Sequence, residues 1–298
     1  MPSASTDSTM PTARPLLLGA SGKVGRALRR VAEAGLWPGP LPLWQHRPGS
    51  DVPGEDVLAW DILSGRDPRL PPGCRGVIAL AGVTTGDADA LALNTDLALA
   101  AVDLAARHGL GPVLIASSAA VYGRQAGAMA ENAPLAPANP YGAAKAAMEA
   151  AVAARLIALG ADAPSVCCLR IGNVGGADQL FAAMARGPVT LDRFADGQGP
   201  RRAYLGAADL AAILAGLLSQ GGALPFALNL AAAGTVAMAD ILDAAGAAWR
   251  WTPAPQTALA ELALDTSLLA GLIGAPLPRA DAAALVAQAR LGGWVGPA

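Results

Sequence analysis

Leu16-Leu17-Leu18-Gly19-Ala20-Ser21-Gly22-Lys23-Val24-Gly25 is the stretch on which the fold of this chain turns. Three consecutive leucines read as a short buried strand. Glycines follow in the spacing Gly-x-x-Gly-x-x-Gly, and an amphipathic stretch then runs to about Ala34. A glycine turn between a strand and a helix lets a dinucleotide pyrophosphate come close. No side chain blocks it, backbone N–H groups point at it, and the helix N-terminus is electropositive. Because the chain holds 35 glycines, the spacing alone is weak, and its place after the first strand is what gives it weight. Gly19, Ser21, Gly22, Lys23, Val24 and Gly25 are therefore the expected cofactor cradle.

Outward from this turn, short apolar runs recur at Leu41–Trp44, Val57–Trp60, Val77–Ala81, Val113–Ser117 and Val166–Ile171. Helical patterns cover 89–108 and 140–159, closed by Gly109 and Gly160. Buried strands alternating with helices predict an α/β fold, a Rossmann-type doubly wound parallel sheet. After Gly172 the rhythm breaks, with helices expected at about 177–186, 208–219, 238–246, 257–272 and 279–290. Strand-like pieces lie near Thr190 and at Phe226–Leu230. Three parts are expected: a disordered polar leader over 1–13, a dinucleotide-binding domain over 14–172, and a smaller C-terminal substrate-binding lobe over 173–298 with an interleaved boundary.

Composition excludes several classes. A net charge of −2 with no run of like charge leaves no footprint for nucleic acid. The uncharged stretch between Asp209 and Asp240 is interrupted by Gly221-Gly222, Pro225 and Asn229, so it reads as helix, turn and strand, not as a membrane span. The leader lacks the apolar core of a signal peptide. Cys74, Cys167 and Cys168 are odd in number and two are adjacent, which fits reduced thiols and a cytoplasmic location. No zinc spacing is present and no metal is expected. His46 and His108 are the only histidines and Gly-x-Ser-x-Gly is absent, which argues against a serine hydrolase.

The end of the second strand should choose the dinucleotide. An acid there holds the ribose 2′-OH of NAD, whereas a cation accepts the 2′-phosphate of NADP. The sequence reads Gln45-His46-Arg47 with no carboxylate until Asp51. Arg47, with His46, thus favours NADP over NAD. Asp61, ending the third strand, is a candidate for the adenine amino group or equally for capping the next turn.

The chemistry is expected in Asn139-Pro140-Tyr141-Gly142-Ala143-Ala144-Lys145, read with Ser117-Ser118 upstream. Asn139 suits an N-cap and Pro140 the first helical position. Tyr141 and Lys145 then share one helix face a turn apart. An ammonium beside a phenol favours the phenolate and makes tyrosine a usable acid/base.

Together these residues resemble the extended short-chain dehydrogenase/reductase family, which includes nucleotide-sugar epimerases, dehydratases and reductases. The likeness runs from about Leu16 to Leu230, in family order: the glycine turn, Asp61, Ala79-Leu80-Ala81-Gly82, Asn94, Ser117 to Gly123, Tyr141 and Lys145, Leu169 to Val174, Arg202, and Asp209-Leu210. The resemblance implies Tyr141 as acid/base, Lys145 lowering its pKa and holding the nicotinamide ribose, and Ser118 on the reacting oxygen. It implies further cofactor contacts at Ile62, Leu80, Ala81, Gly82 and Ala116, and substrate contacts at Thr84, Ser118, Asn173 and Arg202, the last two on a diphosphate. It also implies a homodimer built through helices 89–108 and 140–159.

Three departures narrow the expectation. The family's dehydratases carry an Asp-Glu pair where this chain has Ala119 and Ala120, which cannot move protons, so water elimination is disfavoured. Arg202-Ala203-Tyr204-Leu205-Gly206 lacks the Asp and His often found near this arginine, and Val83-Thr84-Thr85 lacks a lysine of some hexose epimerases. These losses weaken the case for a nucleotide-sugar substrate. The function expected is an NAD(P)-dependent oxidoreductase or epimerase acting on a small molecule. The alternative is a non-catalytic NAD(P) sensor on the same fold, a class that tends to lose the Tyr/Lys pair kept here.

Overall fold

The computed structural model describes residues 14–220 and 224–296, so the expected leader lies outside the described residues. β1 (Arg14–Leu18) is buried from Pro15 onward, as a strand covered on both faces must be. The chain winds outward from it in both directions. α1 (Lys23–Glu33) leads to β2 (Leu43–His46) and β3 (Val57–Ala59) on one side. β4 (Cys74–Ala79), α2 (Ala88–His108) and β5 (Val113–Ser118) build the other. A 3₁₀ turn over Ala119–Tyr122 and the short β6 (Ala128–Met129) precede α3 (Pro140–Leu159) and β7 (Val166–Ile171).

The chain then leaves the sheet through β8 (Asn173–Val174), α4 (Gln179–Met184), β9 (Val189–Arg193), β10 (Arg201–Arg202) and β11 (Tyr204–Leu205). It returns through α5 (Ala207–Ser219) and β12 (Ala227–Leu230). The remaining elements are β13 (Val236–Ala237), α6 (Met238–Ala245), β14 (Trp249–Pro253), β15 (Glu261–Leu264), α7 (Ser267–Ile273) and α8 (Ala282–Leu291). The central sheet has the order β12-β7-β5-β4-β1-β2-β3, with every pairing parallel. This is the doubly wound Rossmann-type sheet that the sequence predicts.

Each face of the sheet has its own core. Leu28, Val31, Leu210, Leu214, Leu217 and Leu269, from α1, α5 and α7, cover Leu17, Leu114, Leu169 and Leu228. On the other face Ala98, Ala101, Ala105, Met148 and Val152 of α2 and α3 cover Leu16, Leu18, Val77, Ile115 and Cys168. A third cluster around Phe181, Tyr204, Ile241, Leu242 and Leu285 forms the core of the smaller lobe. Among the described residues no helix is long and apolar enough to cross a membrane.

Four expectations change. The second strand runs Leu43–His46, two residues later than predicted, because the Gln45 amide finds buried partners at Gly19 and Trp60 and so tolerates a strand interior. The fourth strand is Cys74–Ala79, ending where Leu18 pairs with Ala79 and the chain turns out of the sheet. The helix predicted over 257–272 is instead β15 followed by α7. Its Ala/Leu composition suits a helix, but pairing with Arg201-Arg202 and with Ala128-Met129 makes it a strand. Phe226–Leu230, expected in the lobe, supplies β12, the outermost strand of the central sheet. β14 had no counterpart among the predicted elements and pairs in parallel with β9.

A buried polar chain ties these layers together. Arg170 on β7 and Glu149 on α3 are 6% and 3% exposed. The guanidinium donates to the carboxylate through Nε and Nη2, the shortest contact being 2.8 Å. Nη1 donates to the Tyr122 hydroxyl (3.0 Å) and the Glu131 carbonyl (2.7 Å). The Tyr122 hydroxyl donates to Asn229 Oδ1 (2.7 Å), and the Asn229 amide donates to the carbonyls of Met129 and Asp265. Such a buried pair holds only while both charges and their hydrogen bonds are present. Arg170→Met is expected to lower the unfolding free energy by about 3–5 kcal/mol in denaturant melts. An unchanged midpoint would contradict the role assigned to the pair.

Candidate active site

The glycine turn takes the shape its sequence demands. Gly19 has φ +96°, and a Cβ there would lie 2.7 Å from the Ala81 nitrogen. A Cβ on Gly25 would come within 2.3 Å of the Gly19 carbonyl oxygen. Gly22 enters α1 with extended backbone and has no side chain to cap it, so the first amides of the helix face outward past Ser21, Lys23 and Val24. The Gly19 and Ala20 amides are held by the Gln45 side chain and carbonyl, at 2.9 and 2.8 Å. Gln45 was missed in the sequence; a lone polar residue inside an apolar strand was the available signal. Arg26 folds back onto the Ser21 carbonyl. This uncapped, close-packed helix start fits the pyrophosphate of a dinucleotide.

At the end of β2 Arg47 is exposed, while His46 is buried with Nδ1 3.1 Å from the Arg47 carbonyl. The strand runs through His46 and packs its ring, so Arg47 is the more exposed of the two expected phosphate contacts. Asp61 Oδ1 accepts the Leu63 amide at 3.1 Å, the turn-capping alternative, and Ile62 is buried beside it. Leu80, Ala81 and Gly82 follow β4. Asn94 on α2 pins the next residue, donating to the Val83 carbonyl (2.8 Å) and accepting its amide (3.2 Å). Thr84, one residue on, is exposed.

The catalytic candidates converge at the end of β5 and the start of α3. Asn139 caps α3 through the Gly142 amide (2.7 Å), and Pro140 opens the helix. Gly142 packs so closely on the 3₁₀ turn that a Cβ would lie 2.4 Å from the Ala120 carbonyl oxygen. Ser118 Oγ accepts the Ala120 amide at 3.2 Å, and its hydroxyl is near enough to Tyr141 to lower the phenol's pKa. Lys145 is 4% exposed and donates to the Ala116 carbonyl at 2.7 Å. Its Nζ lies 3.5 Å from the position of a Gly82 Cβ, so Gly82, Ala116, Lys145, Tyr141 and Ser118 form one cluster.

The electrostatics differ from expectation. Burial pushes the Tyr141 phenol above its ordinary value, and the nearby Ser118 hydroxyl offsets only part of this. Burial lowers Lys145 to about 8, opposed by the neighbouring Cys168 and Glu149. The ammonium turns to Ala116, so the chain alone does not deliver the acidifying charge to the phenol that the i, i+4 spacing predicts.

Of the two residues expected on a diphosphate, Arg202 already has protein partners. It donates to the carbonyls of Arg201 (2.8 Å), Leu259 (2.8 Å) and Ala260 (3.2 Å). Burial pulls its pKa down. Asn173 stands beside the buried Tyr204 hydroxyl, which donates to Asp178. Asp178 caps α4 through the Phe181 amide (3.1 Å), and burial raises its pKa. The sequence offered no signal for Asp178 beyond its place before a helix.

The glycine turn, Gly82, Ser118 and Tyr141 all lie beyond the carboxyl ends of parallel strands, where open α/β sheets bind ligands. Solved structures of similar fold include MoeE5 in complex with UDP-glucuronic acid and NAD (21% identity, TM-score 0.72, covering 93% of this chain and 98% of that one). The UDP-glucose 4-epimerase of Brucella ovis in complex with NAD matches at 20% identity and TM-score 0.75, over 95% and 99% of the two chains. The UDP-glucose-4-epimerase of Stenotrophomonas maltophila, with NAD and formylated UDP-arabinopyranose, matches at 18% identity and TM-score 0.74, over 94% and 98%. No curated protein shows significant sequence similarity to the chain. Residues 72–227, more than half of the chain and the part that carries Ser118, Tyr141 and Lys145, match the NAD dependent epimerase/dehydratase family, to which this protein belongs.

Proposed function

We propose that the protein is an NAD(P)-dependent oxidoreductase or epimerase that works at a secondary alcohol or its ketone, with Tyr141 as acid/base. The carrying observation is the convergence of Ser118 and Tyr141 beside buried Lys145. The glycine turn would hold the pyrophosphate, and a bound nicotinamide would supply hydride transfer. Ser118 Oγ accepts the Ala120 amide, which leaves its proton free to donate to the substrate oxygen. Tyr141 takes the hydroxyl proton during oxidation and returns it during reduction. Lys145 would hold the nicotinamide ribose. Ala119 and Ala120 carry no proton, so elimination of water is outside this machinery.

Oxidation and reduction need only these three side chains, and epimerisation additionally needs the ketone to turn over in place. A nucleotide sugar is one substrate class for this site, supported by what the similar structures bind. Against it stand the protein partners already held by Arg202. Tyr141→Phe should lower kcat on the order of 10²- to 10⁴-fold while cofactor affinity stays within about twofold. The assay is nicotinamide absorbance across UDP-sugars and simple hydroxy-ketones. Turnover that survives the substitution would sink the acid/base role. Cofactor binding with no turnover of any compound would favour the sensor reading.

Exposed Arg47, with no carboxylate at the end of β2, supports NADP over NAD. In fluorescence titration NADPH should bind more tightly than NADH, and Arg47→Ala should narrow the gap by roughly tenfold. Equal affinities in the wild type would overturn this preference.

The protein also forms a homodimer through α2 and α3. Ala143, Ala147, Ala150, Ala154 and Ala158 make an exposed apolar row on α3, with Ile157 82% exposed beside it. Light scattering should give a dimer mass for the wild type and a monomer for Ile157→Glu. A monomeric wild type at micromolar concentration excludes the dimer.

A further inference from the structure

We propose that Ser117 and Glu149 are positioning residues that set the catalytic Ser118 against Tyr141, an inference resting on the acid/base reading above. Two consecutive residues at the end of β5 are tied to two residues one turn apart on α3. The Ala116 carbonyl accepts Lys145 Nζ at 2.7 Å. The Ser117 hydroxyl donates to Glu149 Oε1 at 2.5 Å. Lys145 and Glu149 stand at i and i+4, so both ties leave the same face of the helix.

A single tie lets a helix pivot on a strand. Two ties a turn apart fix both its height and its rotation. Ser118 is the next residue along β5, and Tyr141 is one turn before Lys145. The meeting of Ser118 and Tyr141 is therefore the free end of a ladder whose rungs are Lys145–Ala116 and Glu149–Ser117. All the groups in the lower rungs are buried, with Ser117, Lys145 and Glu149 at 4%, 4% and 3% exposed.

The rung at Ser117 depends on a charged carboxylate. An ionised Glu149 can only accept, which obliges the Ser117 hydroxyl to donate. Arg170 keeps that charge in place by engaging both carboxylate oxygens. The Arg170–Glu149 pair compensates its own burial without Ser117. The serine hydroxyl is thus dispensable for folding but not for the alignment of β5 with α3.

The variants are Ser117→Ala and Ser117→Thr, compared with wild type and Tyr141→Phe using the substrate found by the screen. Ser117→Ala should fold and bind cofactor as wild type does, keep KM within about twofold, and lose roughly tenfold in kcat, the size expected of a modest misplacement. The pH profile of oxidation supplies a second readout. Tyr141 must be deprotonated to act as base, and the nearby Ser118 hydroxyl lowers its pKa against the effect of burial. Displacing Ser118 from Tyr141 raises the pKa, so the acidic limb of the profile should move to higher pH in Ser117→Ala. Ser117→Thr keeps the hydroxyl and should restore both rate and limb. Unchanged kcat and limb in Ser117→Ala, or equal impairment of Ser117→Thr, overturns the proposal while a dead Tyr141→Phe leaves the acid/base reading intact. An active Tyr141→Phe removes that reading and the positioning role with it.

Discussion

The buried ion pair of Arg170 and Glu149 is the constraint on which the remaining structure leans. Two opposite charges in a nearly dry interior tolerate few geometries, because any lost hydrogen bond exposes an uncompensated charge to a low-dielectric surround. Arg170 also reaches Tyr122 and Glu131, and Tyr122 reaches Asn229. One connected set of side chains therefore fixes α3, β5, β7 and β12 relative to the segments around Met129 and Asp265. Those segments flank the small sheet of order β13-β10-β15-β6, on which Arg202 stands. The end of β5 and the sheet that carries Arg202 are thus referenced to the same charge pair.

Around that frame the site is built by close approach. Gly19, Gly25 and Gly142 each occupy positions where a single added carbon would meet backbone at under 3 Å. The cofactor turn can lie against the end of β4, and α3 can start against the turn after Ser118, only because these residues lack a side chain. The polar groups are treated the opposite way. Gln45, Asn94 and Asn229 are buried at 2%, 1% and 0% exposure, and each is held by backbone partners. They tie down the segments at Gly19, Val83 and Met129.

Much of this was legible from local pattern. The glycine turn, the capped start of α3 and the strand at Val166–Ile171 follow from spacing and capping rules that act within a few residues. The misreadings came where distant partners override local preference. Glu261–Leu264 reads as helix by composition and becomes strand because β10 and β6 flank it. Gln45 seems too polar for a buried strand until Gly19 and Trp60 meet its amide. Glu149 and Asp178 carry no signal of their own, since a helix carboxylate or an N-cap is common anywhere.

By itself the sequence determined the sheet class, the glycine turn after the first strand and the capped start of α3, because strand burial, helix capping and backbone freedom are set by neighbouring residues. Only the tertiary structure decided what the side chains face. It turned the Lys145 ammonium to the Ala116 carbonyl, raised the Tyr141 phenol by burial, and gave Arg202 protein partners. Desolvation and hydrogen-bond partnership depend on groups far away in the chain, and no local spacing encodes them.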